Sequence, residues 1–198
     1  FGQKGHYGVA LLAREPLERL ADALPDFEDT SRRLLAVRTG SVVLVNIYVP
    51  NGQSVGSDKY DYKLAWLKAL TSFLERLLGE NARVVVVGDY NIAPEDRDVH
   101  DPAAWEGKVL VSEPEREAFR GLIALGFEDG FRLFEQAPES YSWWDYRQAA
   151  FRRNRGLRID HVLLSPALAR RCQSVSIDRV PRGWERPSDH TPVVAVFD

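Results

Sequence analysis

Four consecutive valines at residues 84–87 constrain the fold of this chain more than any other feature of its sequence. A run of β-branched residues without polar alternation is typical of a strand whose two faces are both covered. Residues 58–78, just before it, repeat leucine at three- and four-residue steps, which predicts a helix with one apolar face. We therefore expect residues 84–87 to form an interior strand that other elements cover on both sides.

Strand and helix patterns are intermixed along the rest of the chain. A turn at residues 39–41 separates two apolar segments, which is a hairpin signal. Pro114 and Gly126 mark the two ends of a helix over residues 113–125. The fold class predicted is α/β or α+β, with mixed or largely antiparallel sheets. The other predicted elements are strands over 8–12, 34–37, 42–49, 158–164 and 192–197, and a short helical turn over 166–171.

The composition is that of an ordinary globular protein. Its 198 residues show no linker-like tract, so we expect a single domain over residues 1–198. The lone Cys172 excludes an internal disulfide framework and favours a reducing, cytoplasmic location. No apolar run approaches the ~20 residues that span a membrane, so no membrane partner is expected. The chain has no methionine and begins at Phe1, so we expect it to be part of a longer product.

Charge is distributed unevenly along the chain. The net charge is −3, but residues 141–198 hold ten Arg and no Lys against six acidic residues, a local balance of +4 that leaves −7 for residues 1–140. A positive face on an acidic protein is enough to bind a phosphate backbone, because the electrostatic potential near the bound phosphates, and not the net charge of the protein, determines the attraction. The alternative is a solvated surface with no partner, and charge alone does not separate the two.

Polar side chains cluster where the predicted strands end, which is where binding and catalytic groups concentrate. Some have an ordinary structural explanation, such as Asp89 as a turn former or His190 as a satisfied polar side chain. Asp160 is harder to explain in that way, because a carboxylate inside an apolar strand needs a partner. Together these positions predict a pocket lined by Tyr48, Asn51, Asp89, Asn91, Asp160, Asp189 and His190.

This set of residues suits metal-assisted hydrolysis of a phosphoester. Carboxylate oxygens are the ligands that Mg²⁺ prefers, and one or two of them are enough. A histidine paired with a carboxylate can hold a proton against a phosphoryl oxygen, and a second carboxylate can position or deprotonate water. Residues 141–146 add an aromatic run followed by Arg147, Arg152, Arg153 and Arg155, which can stack on bases and bind phosphates. Core packing is the alternative for some of these aromatics.

Six segments in chain order resemble the bacterial exonuclease III family, within the exonuclease–endonuclease–phosphatase superfamily that includes the abasic-site endonucleases. GDxN or SDH alone would be a weak signal, whereas the whole ordered set is very specific. The segments are residues 2–11, 46–52, 88–92, 142–147, 154–160 and 188–192.

The resemblance implies a four-layer α/β sandwich of two mixed sheets flanked by helices. It also implies a Mg²⁺- or Mn²⁺-dependent nuclease that acts on double-stranded DNA as a monomer. Its implied activities are 3′→5′ exonuclease action on duplex ends, cleavage at abasic sites as a lyase-type endonuclease acting by hydrolysis, and removal of 3′ phosphates.

The family pattern also implies roles for individual residues. His190 pairs with Asp160 and contacts the scissile phosphate, while Asp89 orients or deprotonates water or protonates the leaving group. Asn91 holds Asp89 in place, Tyr48 contacts the phosphate, and Asp189 is a metal-side carboxylate. The implied substrate-binding residues are Asn51, Trp143, Trp144, Arg155 and Leu157.

One departure from the family pattern concerns the start of the chain. The family begins with a strand–helix–strand unit whose Gln-Glu motif supplies a principal metal ligand, and this sequence has no such unit. We therefore expect an N-terminally truncated domain with weak metal binding and little activity on its own. Two alternatives stay open: a superfamily phosphatase or phosphodiesterase for a small phosphoester, and a non-catalytic nucleic-acid-binding protein of the same fold.

Overall fold

A computed structural model describes residues 8–198, so most of the segment 2–11 lies outside the described residues. The elements combine a six-stranded sheet and a two-stranded sheet with helices, which confirms the mixed α/β class. The strands are β1 Glu18–Ala21, β2 Leu34–Thr39, β3 Val42–Tyr48, β4 Val84–Asp89, β5 Glu128–Asp129, β6 Asp160–Leu164, β7 Cys172–Ile177 and β8 Val193–Phe197. The α-helices are α1 Asp58–Glu80, α2 Pro102–Trp105, α3 Glu113–Ala124 and α4 Pro166–Ala169.

The large sheet has the strand order β1-β2-β3-β4-β6-β5 and is mixed, as expected. Strands β2 and β3 form the predicted antiparallel hairpin, with Gly40 at a φ of 55° in the turn. Strands β3 and β4 are parallel, and α1 connects them. Strand β6 then pairs with β4 in the antiparallel sense, so β4 lies between β3 and β6. The carboxyl ends of β3 and β4 and the amino end of β6 therefore meet at one edge of the sheet.

The four valines confirm that both faces of β4 are covered. Val84 and Val86 belong to the core cluster that α1 and α3 build on one face of the sheet. Val85 belongs to a second cluster on the other face, where Val175 of β7 packs against it, with Val87 partly buried there. The sheet is therefore held between a helical layer and the small β7–β8 sheet, which in the described residues is antiparallel.

Helices α1 and α3 confirm the sequence prediction closely. Ser57 caps α1 by accepting from the Tyr60 amide at 3.2 Å, and Ser112 and Glu115 form a reciprocal capping box at α3. None of the helices in residues 8–198 is long and apolar enough to cross a membrane.

The strand expected over residues 8–12 was wrong. Gly8 makes only an isolated bridge and the following residues are irregular, although the Asn46 side chain donates to the Ala10 carbonyl at 2.9 Å. Three strands were missed, namely β1, β5 and β7. Each is short or rich in polar residues, so pairing with a neighbour and not its own pattern makes it a strand.

Candidate active site

Three predicted site residues lie side by side across the sheet. In the register of the strands, Tyr48 of β3 is opposite Asp89 of β4, and Asp89 is opposite Asp160 of β6. Neighbouring strands are about 4.8 Å apart, so backbone hydrogen bonds set the spacing of this row. Gly88 permits the arrangement, because its φ is 134° and a Cβ there would lie 1.9 Å from the Ile47 carbonyl oxygen.

His190 lies against the two carboxylates of this row. Its Nδ1 donates to Asp160 at 2.9 and 3.1 Å, and its Nε2 is 3.9 Å from Asp89 Oδ2. Ser142 fixes the other side of Asp160 by donating from its hydroxyl at 2.6 Å. The arrangement is a histidine oriented by one carboxylate and directed toward a second.

Asn91 holds Asp89 from the opposite side. Its backbone, at a φ of 49°, donates from the amide to Asp89 Oδ1 at 2.8 Å, and its side chain donates to Asp89 Oδ2 at 3.0 Å. The same side-chain nitrogen donates to the Val49 carbonyl, and the Asn91 side-chain oxygen accepts from Asn51 at 3.1 Å. Asp89, Asn91 and Asn51 therefore form one connected hydrogen-bond chain.

The charges of this cluster shift two pKa values. Burial and the neighbouring charge of Asp160 raise the pKa of Asp89 to about 7, against the opposing effect of His190. Burial lowers the pKa of His190, but the hydrogen bond and charge of Asp160, with Asp89 and Asp189, outweigh it and raise the pKa to about 9. At neutral pH the imidazole is thus protonated, and Asp89 is poised near its midpoint.

Asp189 contributes a further carboxylate beside His190. Its Oδ2 accepts from Trp143 Nε1 at 2.9 Å, which fixes the side chain next to the row. Among residues 8–198, no three acidic, histidine or cysteine side chains converge as a complete metal centre. An excess of carboxylates around a single imidazole nevertheless fits a hard divalent cation, which needs only one or two protein carboxylates and keeps its waters.

The predicted substrate-binding residues separate into exposed and buried groups. Arg155 is exposed, and with Trp143 and Arg147 it lines a cavity of about 360 Å³ beside the site. Asn51 is also exposed and borders a second cavity with Tyr48, whose ring lies under the Arg33 guanidinium.

Trp144 and Leu157 are different, because each has 0% of its surface exposed. Trp144 packs against Phe151 and donates from Nε1 to the side-chain oxygen of Asn154. The backbone of Leu157 forms isolated antiparallel β-bridges with Trp143 and with Val99. In this structure they support the wall behind Trp143, and their assignment to substrate binding stays a prediction.

Two residues of the site were missed from the sequence. Ser142 is fully buried and also accepts from the Ile159 and Asp160 amides, but it stands inside an aromatic run with no pattern of its own. Lys63 is fully buried under the site and donates to the Asn91 carbonyl at 2.7 Å. A signal did exist for it, because Lys63 occupies a core position between Tyr60 and Leu67 on the apolar face of α1.

The sheet edge, with its acid–histidine–acid row and adjoining asparagines, defines a hydrolase-type site on a mixed α/β scaffold. The chain belongs to the endonuclease/exonuclease/phosphatase family, whose model matches residues 1–190. It is 38% identical to the exodeoxyribonuclease III of Haemophilus influenzae over 99% of this chain and 78% of that protein.

Two solved structures are also similar to this chain. A 3′ phosphatase from Neisseria, bound to a product DNA hairpin, matches with a TM-score of 0.92 and 40% identity, over 94% of this chain and 73% of that one. An AP endonuclease from Archaeoglobus fulgidus matches with a TM-score of 0.88 and 37% identity, over 93% and 72%.

Proposed function

We propose that this chain carries the hydrolytic site of a divalent-metal-dependent DNA repair nuclease, acting as a 3′→5′ exonuclease on duplex DNA and as an abasic-site endonuclease. The observation that carries the proposal is the Asp160–His190–Asp89 row at the sheet edge. The named activities of the family relatives, an exodeoxyribonuclease and an AP endonuclease, support the same function.

Each residue of the row has a chemical task in this proposal. His190, protonated and oriented by Asp160, donates a hydrogen bond to a non-bridging phosphate oxygen and offsets the charge that develops there. Asp89, with a pKa of about 7, takes the proton of the attacking water, which is the range in which a general base works best. Asn91 holds that carboxylate and is itself held by Asn51, and Tyr48 contacts the phosphate from the adjacent strand.

The residues beside the row suit a Mg²⁺ or Mn²⁺ ion. Asp189, with its carboxylate already fixed by Trp143, would hold the cation. When bound, such an ion would neutralise phosphate charge and stabilise the oxygen that leaves as its bond to phosphorus breaks.

Double-stranded DNA is the partner that the surface next to the site favours. Trp143, Arg147 and Arg155 line the adjoining cavity, in the part of the chain with the positive balance. An abasic nucleotide can enter such a cavity at low cost, because it has no base to unpair. The row draws its side chains from one chain, which supports action as a monomer.

The test is cleavage of a labelled duplex that carries one abasic site, with Mg²⁺ and with a chelator. We expect Mg²⁺-dependent cleavage 5′ of the site, and Asp89→Asn should reduce the rate by about 10²- to 10⁴-fold because the general base is lost. Lys68→Gln, an exposed change on α1, is the control and should leave the rate unchanged.

A second substrate separates the alternatives, since one structural relative is a 3′ phosphatase. The same protein is offered a duplex with a 3′ phosphate. Release of phosphate without abasic cleavage would move the assignment to a phosphatase. DNA binding without either reaction would leave a non-catalytic binding protein. The expected weak activity is checked by repeating both assays with a Glu-bearing strand–helix–strand unit of the family joined before Phe1.

A further inference from the structure

Beneath the active site, one buried ammonium joins two of its loops. Lys63, on α1, has no exposed surface, and its Nζ donates to the Asn91 carbonyl at 2.7 Å and to the Asn51 carbonyl at 3.2 Å. Its remaining donor goes to Glu115 of α3, in a short ion pair. A lysine has three N–H donors, so these three acceptors use all of them.

Glu115 is itself fixed in place. Its carboxylate accepts from the Leu110 and Ser112 amides at 3.0 and 3.1 Å and from the Ser112 hydroxyl at 2.5 Å. The stem of Lys63 also lies close to the loop after β3, since a Cβ on Gly52 would meet its Cδ at 3.1 Å. The ammonium therefore has one well-determined position, anchored to the helical layer.

The two backbone carbonyls that accept from Lys63 belong to Asn91 and Asn51, the residues that orient Asp89 as the proposed general base. Asn91 and Asn51 are hydrogen-bonded to each other through their side chains, and Asn91 grips Asp89 through two bonds. Asn91 holds the left-handed backbone conformation, with a φ of 49°, which persists where its surroundings enforce it.

We propose that Lys63, oriented by Glu115, is a positioning residue for the hydrolytic reaction. It ties the Asn51 and Asn91 backbones to the helical layer and so sets where Asp89 points. This inference rests on the proposed function. The alternative is that the ion pair only joins α1 to α3 and that the site would keep its geometry without it.

The test uses Lys63→Met/Glu115→Gln, which removes both charges together and so leaves no buried carboxylate without its cation. Lys63→Gln/Glu115→Gln is the second variant. The glutamine at position 63 keeps an N–H donor inside the core, so this variant can be measured even if Lys63→Met/Glu115→Gln does not fold. Leu70→Ala is the matched control, since Leu70 lies on the same helix, fully buried in the core, and its truncation lowers stability without touching the Lys63–Glu115 pair.

Two readouts decide the proposal. Per folded molecule, both double variants should lose about 10- to 100-fold in kcat on abasic-site DNA with KM little changed, whereas Leu70→Ala should keep its kcat. Amide hydrogen exchange at Asn91 should accelerate in the double variants relative to Leu70→Ala. Folded double variants with unchanged kcat and unchanged protection at Asn91 would overturn it. If the unmodified protein cleaves no phosphoester, the proposed function fails, while the exchange measurement still judges the positioning role of Lys63.

Discussion

At the scale of single residues, the site depends on positions where the backbone takes forms that few side chains allow. Asp89 is preceded by Gly88 and followed two residues later by Asn91, with φ values of 134° and 49°. The motif GDxN thus places an acid between two unusual backbone conformations. That explains why the three residues of the motif together indicate a functional site, although each of them alone has an ordinary structural explanation.

Gly88 provides a direct prediction. Gly88→Ala should lower the free energy of unfolding by about 3 kcal/mol or more, because the new Cβ meets the Ile47 carbonyl oxygen in a strained conformation. Gly79→Ala is the control, since Gly79 lies exposed in α1 with nothing near its Cβ position, and it should raise stability by about 0.5–1 kcal/mol. Urea denaturation of the two variants measures both. Equal stabilities would show that the close approach at Gly88 does not exist.

At the scale of elements, β6 enters the core beside a buried ionic network. Arg158, just before β6, pairs with Asp98 at 2.7 Å and with Asp129 at 2.8 Å. Its Nη1 donates to His161 Nδ1 at 3.0 Å, and His161 Nε2 donates to the Ile92 carbonyl at 2.8 Å. These bonds require a neutral His161 and fix its tautomer.

This neutral histidine predicts how stability depends on pH. Burial, reinforced by the charge of Arg158, lowers the pKa of His161 from 6.5 to about 4. Between pH 6.5 and 4 the unfolded chain binds a proton at His161 that the folded protein does not bind, so the contribution of His161 to stability falls as the pH decreases through this window. The loss should reach about 3 kcal/mol near pH 4.

Urea denaturation between pH 7 and pH 4 checks this window, with His161→Gln as the comparison. Glutamine can donate to the Ile92 carbonyl and accept from Arg158 without titrating, so the stability difference between the two proteins should change across this window by the loss assigned to His161. Asp89, whose raised pKa gives the opposite pH dependence, is present in both proteins and cancels in this difference. Asp98 does not confound the measurement. Burial opposes its ionisation, but Arg158 and Arg132 outweigh burial and lower the pKa of Asp98, which places its contribution below the His161 window. A variant with the same pH slope as the unmodified protein would contradict the assignment.

The elements also show how far the sequence could predict the structure. Helices α1 and α3 and strands β2, β3, β4, β6 and β8 follow from hydrophobic periodicity, which is a local property. Strand β7, with the sequence CQSVSI, has Val175 as its one fully buried residue and Cys172 and Ile177 partly buried at its ends, so it shows no clear alternation and its pairing with β8 is decided by tertiary contacts. The same reason hides Ser142 and Lys63, since their roles arise from partners 18 and 28 residues away.

The row Tyr48, Asp89 and Asp160 was predicted as a set of residues, but its order across the sheet was not. That order depends on β3 and β4 being parallel and on β6 returning antiparallel. The complete burial of Trp144 and Leu157 could not be predicted, for a related reason. A sequence shows that aromatics are adjacent, whereas burial depends on which of them the fold turns inward.

At the scale of the whole molecule, the positive C-terminal part predicts salt-dependent DNA binding. Arg147 and Arg155 lie exposed beside the candidate active site. Replacing both with Gln should weaken binding and reduce the slope of log K against log salt concentration by about 1 for each phosphate that is no longer neutralised. Fluorescence anisotropy with a duplex carrying an abasic site, at several salt concentrations, measures the slope. Lys68→Gln, an exposed change on α1, should leave the slope unchanged, and an unaltered slope in the double variant would place the DNA elsewhere.

The row across β3, β4 and β6 has a consequence for protein engineering. Backbone hydrogen bonds between the strands set the spacing of positions 48, 89 and 160, so the starting points of their side chains are fixed by the sheet. A new functional group introduced at position 48 would arrive at a known distance from Asp89 without redesign of the scaffold. The same fold can therefore accept altered chemistries by exchange of single residues, and its sheet edge is a template on which new catalysts can be built.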